Sequence, residues 1–177
     1  MTDTVDAEVL SEHVSYEVSG TWLSYWLVLL RLTTGWWLLH AGLDKLWAWP
    51  FDASWFVGGR AAGTVLGPFV TLFSDGVLLT FTNWAVPIGQ TLIGLGLILG
   101  ALTRTAAFFG AVLMVFFYFI NGQTGDWAHG VVTGPLLGIM IFGTVIALGS
   151  GRVLSVDRHL RETGLVRDHP RLRYLLG

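Results

Sequence analysis

No cysteine occurs among the 177 residues of this chain. Without thiols it cannot build a disulfide relay, a cysteine nucleophile, a thiolate zinc site or a cysteine-ligated iron–sulfur cluster. Four-helix membrane proteins that pass electrons from cysteine pairs to quinone are excluded with them. Charge is scarce as well: 12% of residues are charged, half of the roughly 25% carried by an average soluble domain. That deficit argues against a soluble globular enzyme. The net charge of −2 and the lack of any recognition motif give no reason to expect a nucleic-acid partner.

What the chain has instead is apolar surface. It is 53% hydrophobic, with a mean hydropathy of +0.64, 23 glycines and 9 tryptophans. Glycine and tryptophan together suit helices packed within lipid and anchored at its edges. The length suits one domain. Residues 1–21 form an acidic tail, with Asp3, Asp6, Glu8, Glu12 and Glu17 and no Lys or Arg. They lack the basic start and apolar run of a secretory signal.

Four apolar spans follow, at about 22–47, 84–102, 105–121 and 131–149. From Trp22 to Leu43 the first is interrupted only by Arg31 and His40; about 20 apolar residues suffice to cross a hydrocarbon core. Between the first two spans, glycine and proline break every apolar run. Trp55, Phe56, Leu66, Phe69, Val70 and Phe73 nevertheless need an apolar surface, which predicts an interfacial segment there. The expected fold class is all-α: an integral membrane four-helix bundle over 22–154. An amphipathic, Arg-rich interfacial tail over 155–177 completes it.

In that tail Ser155 is placed to cap a short helix with Asp157 in its first turn, Gly164 to end it, and Pro170 to prevent continuation. Its arginines suit anionic headgroups or a cytoplasmic partner equally. Arg104 and the C-terminal arginines should lie inside the cell. The expected location is therefore the cell membrane, multi-pass, with both termini cytoplasmic. Gly130, Gly134 and Gly138 on the fourth span, and Gly96 and Gly100 on the second, form strips that would let helices approach closely. The aromatic run Phe108, Phe109, Phe116, Phe117, Tyr118 and Phe119 is read as lipid contact and packing.

Polar residues within the spans require partners. A rotation of 100° per residue places Arg31, Gly35, Leu38, Gly42 and Lys45 on one stripe, which should face the interior. An intramembrane Arg is costly unless paired, and Asp157 is the nearest acid, so an Arg31–Asp157 pair should clamp the first helix to the C-terminal segment. At the outer end Lys45, Gln90, Asp44, His40 and His129 are candidate ligand-binding residues. Lys45 and Gln90 could donate to a quinone head, in the apolar-walled pocket usual for small ligands. The plain alternative is that these side chains only anchor helix ends. His40 and Asp44 lie one turn apart, opposite Lys45. A haem held by His40 and His129 is disfavoured, since two histidines without a surrounding motif say little, and no metal site is assigned.

Several short motifs recur in one order. They are Arg31-Leu32-Thr33-Thr34-Gly35 with Gly42-Leu43-Asp44-Lys45-Leu46, then Gly94-Leu95-Gly96-Leu97-Ile98-Leu99-Gly100 with Arg104, and Gly149-Ser150-Gly151-Arg152-Val153-Leu154-Ser155-Val156-Asp157. In these the sequence resembles the DoxX/DoxD family of small four-helix membrane proteins. The resemblance implies a four-helix fold and a link to respiratory redox chemistry, DoxD being a subunit of a thiosulfate:quinone oxidoreductase. Relatives often carry Glu where this chain has Gln90, and an amide does not titrate. The leading expectation is a quinone-contacting subunit that needs a second redox subunit for catalysis. A non-catalytic scaffold and a small-solute or lipid-binding protein are the alternatives. Membrane lipids and a homo-oligomer or redox partner are the expected associates.

Overall fold

A computed structural model of the chain describes residues 2–9, 12–163, 166 and 174–176, with side chains described for 20–128, 130–151, 153–163, 166 and 174–176. Gly164, Arg167, Pro170, Arg171 and Arg173, to which the sequence assigns tail roles, lie outside these residues. The acidic segment expected to be a tail forms an antiparallel hairpin, β1 (Thr2–Val9) with β2 (Glu12–Ser19). Val5 stands opposite Tyr16 and Ala7 opposite Val14. Alternating residue types over both segments give the period of two that a strand requires.

From Gly20 onward the described chain is helical. Four helices carry the domain: α1 (Gly20–Trp47), α3 (Gly76–Leu99), α4 (Thr103–Gln123) and α5 (Gly134–Ala147), with the four-residue α2 (Gly67–Val70) between the first two. Two of them, α3 and α4, are long and apolar enough to cross a membrane, while α5 is apolar but has only 14 residues. The residues of α1 that are buried are Leu27, Arg31, Thr34, Gly35, Leu38 and Gly42. They form the stripe expected from helical rotation.

That stripe packs on α3 through small residues. A Cβ added to Gly94 would stand 2.6 Å from the Gly35 carbonyl oxygen, and one on Gly42 would stand 2.6 Å from the Thr91 amide nitrogen. Neither position tolerates a side chain, so two backbones lie in near contact, as glycine allows between apolar helices. Leu38, Leu97, Ala107, Met114, Phe142 and Val145 then fill the core among the four helices. The expected strip at Gly130, Gly134 and Gly138 does not form. Gly130 is in the turn before α5 and Gly134 faces open space. Only Gly138 is close to a neighbour: a Cβ there would stand 3.0 Å from the Met114 side chain.

Boundaries also differ from the expected ones. The apolar pattern starts the second span at residue 84, but α3 begins at Gly76. The hydroxyls of Thr80 and Thr82 return to the carbonyls of Gly76 and Leu78, so these polar residues do not interrupt the helix. Gly100, with φ 66°, ends α3 in the left-handed conformation that glycine adopts without penalty. The turn into α4 is thus Gly100–Leu102, before Thr103 and Arg104.

The excursion between α1 and α3 is a series of short helical segments, Trp55–Arg60, α2 and Thr71–Phe73. Three polar ties fix it to the bundle. The Ala53 N–H donates to Asn83 Oδ1 (2.8 Å), the Val65 N–H to Gln123 Oε1 (2.6 Å), and Arg60 Nε to Thr124 Oγ1 (3.0 Å). Beneath it Val57, Ala61 and Val70 form a second small core with Ile120 of α4.

Candidate functional site

The excursion does more than cover the end of the bundle. Between it and the helices lies a cavity of about 560 Å³, within the range usual for small-molecule sites. Its walls are aromatic and aliphatic: Phe51, Trp55, Phe56, Phe69 and Phe73 from the excursion, Leu113, Phe116 and Phe117 from α4. Phe56 meets Phe117 edge-on at 5.6 Å, and Phe69 stacks with Phe116 at 6.4 Å. Four polar or charged side chains join them: Lys45, Arg60, Thr82 and Asn121, with no acid on the lining among the described residues.

Lys45 is brought there by the α1 stripe. Its ammonium donates to the Ala41 carbonyl at 2.9 Å and lies 5.9 Å from the Phe51 ring centre. One N–H is therefore committed to its own helix, and the others are available to an acceptor in the cavity. Gln90, by contrast, is not on the lining. It lies one turn beyond Val86 on the same face of α3, 3% exposed, with its Oε1 unpartnered. Of the two residues expected to meet at a ligand, only Lys45 is on the lining.

His40 and Asp44 form their own pair on the exposed side of α1, with Nδ1 3.0 Å from Oδ2 and side chains 61% and 65% exposed. They stand away from the cavity, as their rotation relative to Lys45 requires. His129 ends the short turn Asp126–His129, and its side chain lies outside the described residues. Among the described residues, no three His, Asp or Glu side chains gather as a metal site would need.

Arg31 and Asp157 both lie at the opposite end of the bundle, each held by backbone groups. The guanidinium is 1% exposed and donates to three backbone carbonyls, Ser150 (3.1 Å), Val153 (3.1 Å) and Leu154 (2.7 Å). Asp157 is fully buried and accepts the N–H groups of Leu102 (2.7 Å) and Thr103 (2.8 Å), while its own N–H donates to the Gly100 carbonyl (2.9 Å). Its charge also attracts Arg31. The two are linked by charge attraction and by the backbone groups that each one binds. Arg31 gathers the carbonyls after α5, and Asp157 satisfies the free N–H groups that open α4. Ser155 caps α6 (Val156–Arg161) by accepting from the Arg158 N–H and donates to the Gly151 carbonyl. All three residues, Arg31, Ser155 and Asp157, are ones the sequence singles out for this region.

What sequence reasoning misses is the wall of the cavity. It treats Phe116 and Phe117 as lipid contact and packing, and names neither Arg60 nor Asn121 among the candidate ligand residues. Aromatic residues in the excursion matched by aromatics on α4 are the available signal.

Fold and cavity together define a class: a small helical protein with apolar spans, whose first inter-helix excursion closes an aromatic cavity at one end. The DoxX family model matches residues 26–122, more than half of the chain, and the chain belongs to the DoxX family. The match runs from α1 through α4 and so includes the excursion and every residue on the cavity lining. DoxX proteins are membrane-associated. No curated protein and no solved structure matches this chain.

Proposed function

We propose that this protein is a multi-pass membrane subunit that holds a quinone in the cavity beside Lys45 and serves a redox partner that oxidises thiosulfate or a similar sulfur donor. The observation that carries this reading is the cavity. An aromatic enclosure of about 560 Å³ accommodates a quinone ring and the start of its tail, and Lys45 offers a donor to a ring carbonyl. In this reading all four long helices cross the bilayer and both termini are cytoplasmic. The chain has no cysteine and no evident electron carrier, so electrons must enter through a bound cofactor or a second subunit.

The test is mass spectrometry of the gently solubilised protein, reading bound small molecules and partner chains together. Wild type should retain a quinone, and Lys45→Ala should lose it without loss of helical content. Wild-type protein that carries only phospholipid, or retention unchanged in Lys45→Ala, overturns the reading. Retention of partner chains without quinone would favour the scaffold alternative.

A further inference from the structure

The charges on the cavity are unbalanced. Lys45 and Arg60 both line it, and both keep accessible surface. Neither forms an ion pair among the described residues. The acids nearest to them in sequence are engaged elsewhere. Asp44 stands on the exposed side of α1, paired with His40. Asp52 is exposed, and its carboxylate accepts the Ser54 N–H at 2.9 Å and the Ser54 hydroxyl at 2.8 Å. Two cations thus stand at an aromatic enclosure whose lining offers no carboxylate among the described residues.

The way each cation is held leaves it donors for a ligand. Lys45 makes one hydrogen bond, to the Ala41 carbonyl, and an ammonium carries three N–H groups. Arg60 commits Nε to Thr124 Oγ1, which leaves its two Nη groups, a pair that suits an anionic oxygen head. A charge beside apolar walls is satisfied better by an opposite charge than by a neutral acceptor. A quinone carbonyl accepts a hydrogen bond but brings no charge. The other walls, Phe56, Phe69, Phe116 and Phe117 among them, suit hydrocarbon. A volume of about 560 Å³ has room for one chain of drug-like size.

We infer that the cavity takes a single-chain amphiphile with an anionic oxygen head, a carboxylate or a phosphate monoester. Lys45, with Arg60, holds the head, and the aromatic walls hold the chain. The inference goes beyond the quinone reading and stands without it. Where both hold, the anion and the quinone compete for one cavity.

The experiment is native mass spectrometry of the full chain released from detergent micelles. The protein is first incubated above neutral pH with equimolar palmitate and methyl palmitate, and separately with equimolar hexadecyl phosphate and hexadecanol. Each pair shares a chain and differs in charge. In at least one pair wild type should carry the anion about tenfold over its neutral partner, as one charge-assisted hydrogen bond implies. The pair that shows it names the head. Lys45→Gln should remove most of the preference and Arg60→Gln part of it, while Arg60→Lys, which keeps the charge, should stay within about twofold of wild type. Equal loading within both pairs in wild type overturns the inference, and that result needs no variant to fold. A preference that neither neutral variant lowers overturns the assignment to this cavity. Excess short-tailed quinone should displace the anion. Anion loading that quinone leaves unchanged overturns the quinone reading and not this one; quinone retained without any anion preference does the reverse.

Discussion

Asp157→Ala should be among the most destabilising single changes in this protein. The carboxylate is fully buried and holds two backbone donors, Leu102 N–H at 2.7 Å and Thr103 N–H at 2.8 Å. Neither donor has an intrahelical acceptor, because both open α4. Leaving a buried donor unpaired costs about 1–3 kcal/mol, so the two together cost about 2–6 kcal/mol. Arg31 loses the attraction of its nearest acid as well. Asp157→Asn keeps one accepting oxygen and should cost about half as much. The assay is unfolding by sodium dodecyl sulfate titrated into mild-detergent micelles, followed by tryptophan fluorescence. A double-mutant cycle with Arg31→Ala should give a coupling energy within about 0.5–3 kcal/mol, as expected for neighbours in one network. If Asp157→Ala unfolds within about 0.5 kcal/mol of wild type, the ordinary range for an uninvolved surface site, the junction does not hold the bundle as described.

Three further outcomes are expected. Gly94→Val should separate α1 from α3, since its Cβ would fall 2.6 Å from the Gly35 carbonyl oxygen; overpacking of this kind costs about 1–3 kcal/mol or more, and a melt identical to wild type would refute the close crossing. Asp52 lies outside the spans, and its carboxyl is held below the usual carboxylate range by the Ser54 N–H first and the Ser54 hydroxyl second. Because its folded value is depressed, its contribution is complete above the unfolded carboxylate value and fades as pH falls through the folded one. Carboxyl NMR should place its midpoint below about 3.9 and move it part-way back in Ser54→Ala; a midpoint that does not move sinks the assignment. Lys45 is the only lysine in the chain, so an acylating reagent reports on it alone apart from the N-terminus. Quinone at about ten times its Kd should slow that labelling about tenfold, and an unchanged rate would remove Lys45 from the site.

Much of this arrangement is legible in the sequence because it follows from helical rotation. Arg31, Gly35, Leu38 and Gly42 recur at the spacing of one face, and that face is buried as the spacing predicts. Ser155 announces its helix by cap chemistry, and Asp157 is the acid that belongs with Arg31. The partners of both residues are not legible, since they are backbone carbonyls and N–H groups, which every residue possesses. Phe116 and Phe117 escape for a different reason. Where a helix is apolar nearly all round, periodicity does not say which aromatics face lipid and which face a cavity. Which residues of α1 and α3 meet is not legible, because pairing across two helices depends on their offset along the axis. Here that offset is fixed by the contacts of Gly42 with Thr91 and of Gly35 with Gly94.

Arg31 and Lys45 stand fourteen residues apart on one stripe of α1, about 21 Å along the axis at 1.5 Å per residue. One helix therefore carries the side chain that fixes the bundle and the side chain that faces the cavity, at opposite ends. The two ends use different chemistry. At the first, the Arg31 Nη groups and the Asp157 carboxylate are matched to backbone partners, so substitution leaves orphans and stability falls. At the second, Lys45 is only half-buried and its one hydrogen bond is to its own helix, so neutral substitution breaks no tie across the bundle. Sites this far apart with no shared partner contribute nearly additively. Changes at Lys45 should thus alter ligand retention with little effect on unfolding, and changes at Arg31 or Asp157 should do the reverse. A Lys45→Ala protein that unfolds as readily as Asp157→Ala would show that the cavity end is structural, and the ligand reading would then lose its physical basis.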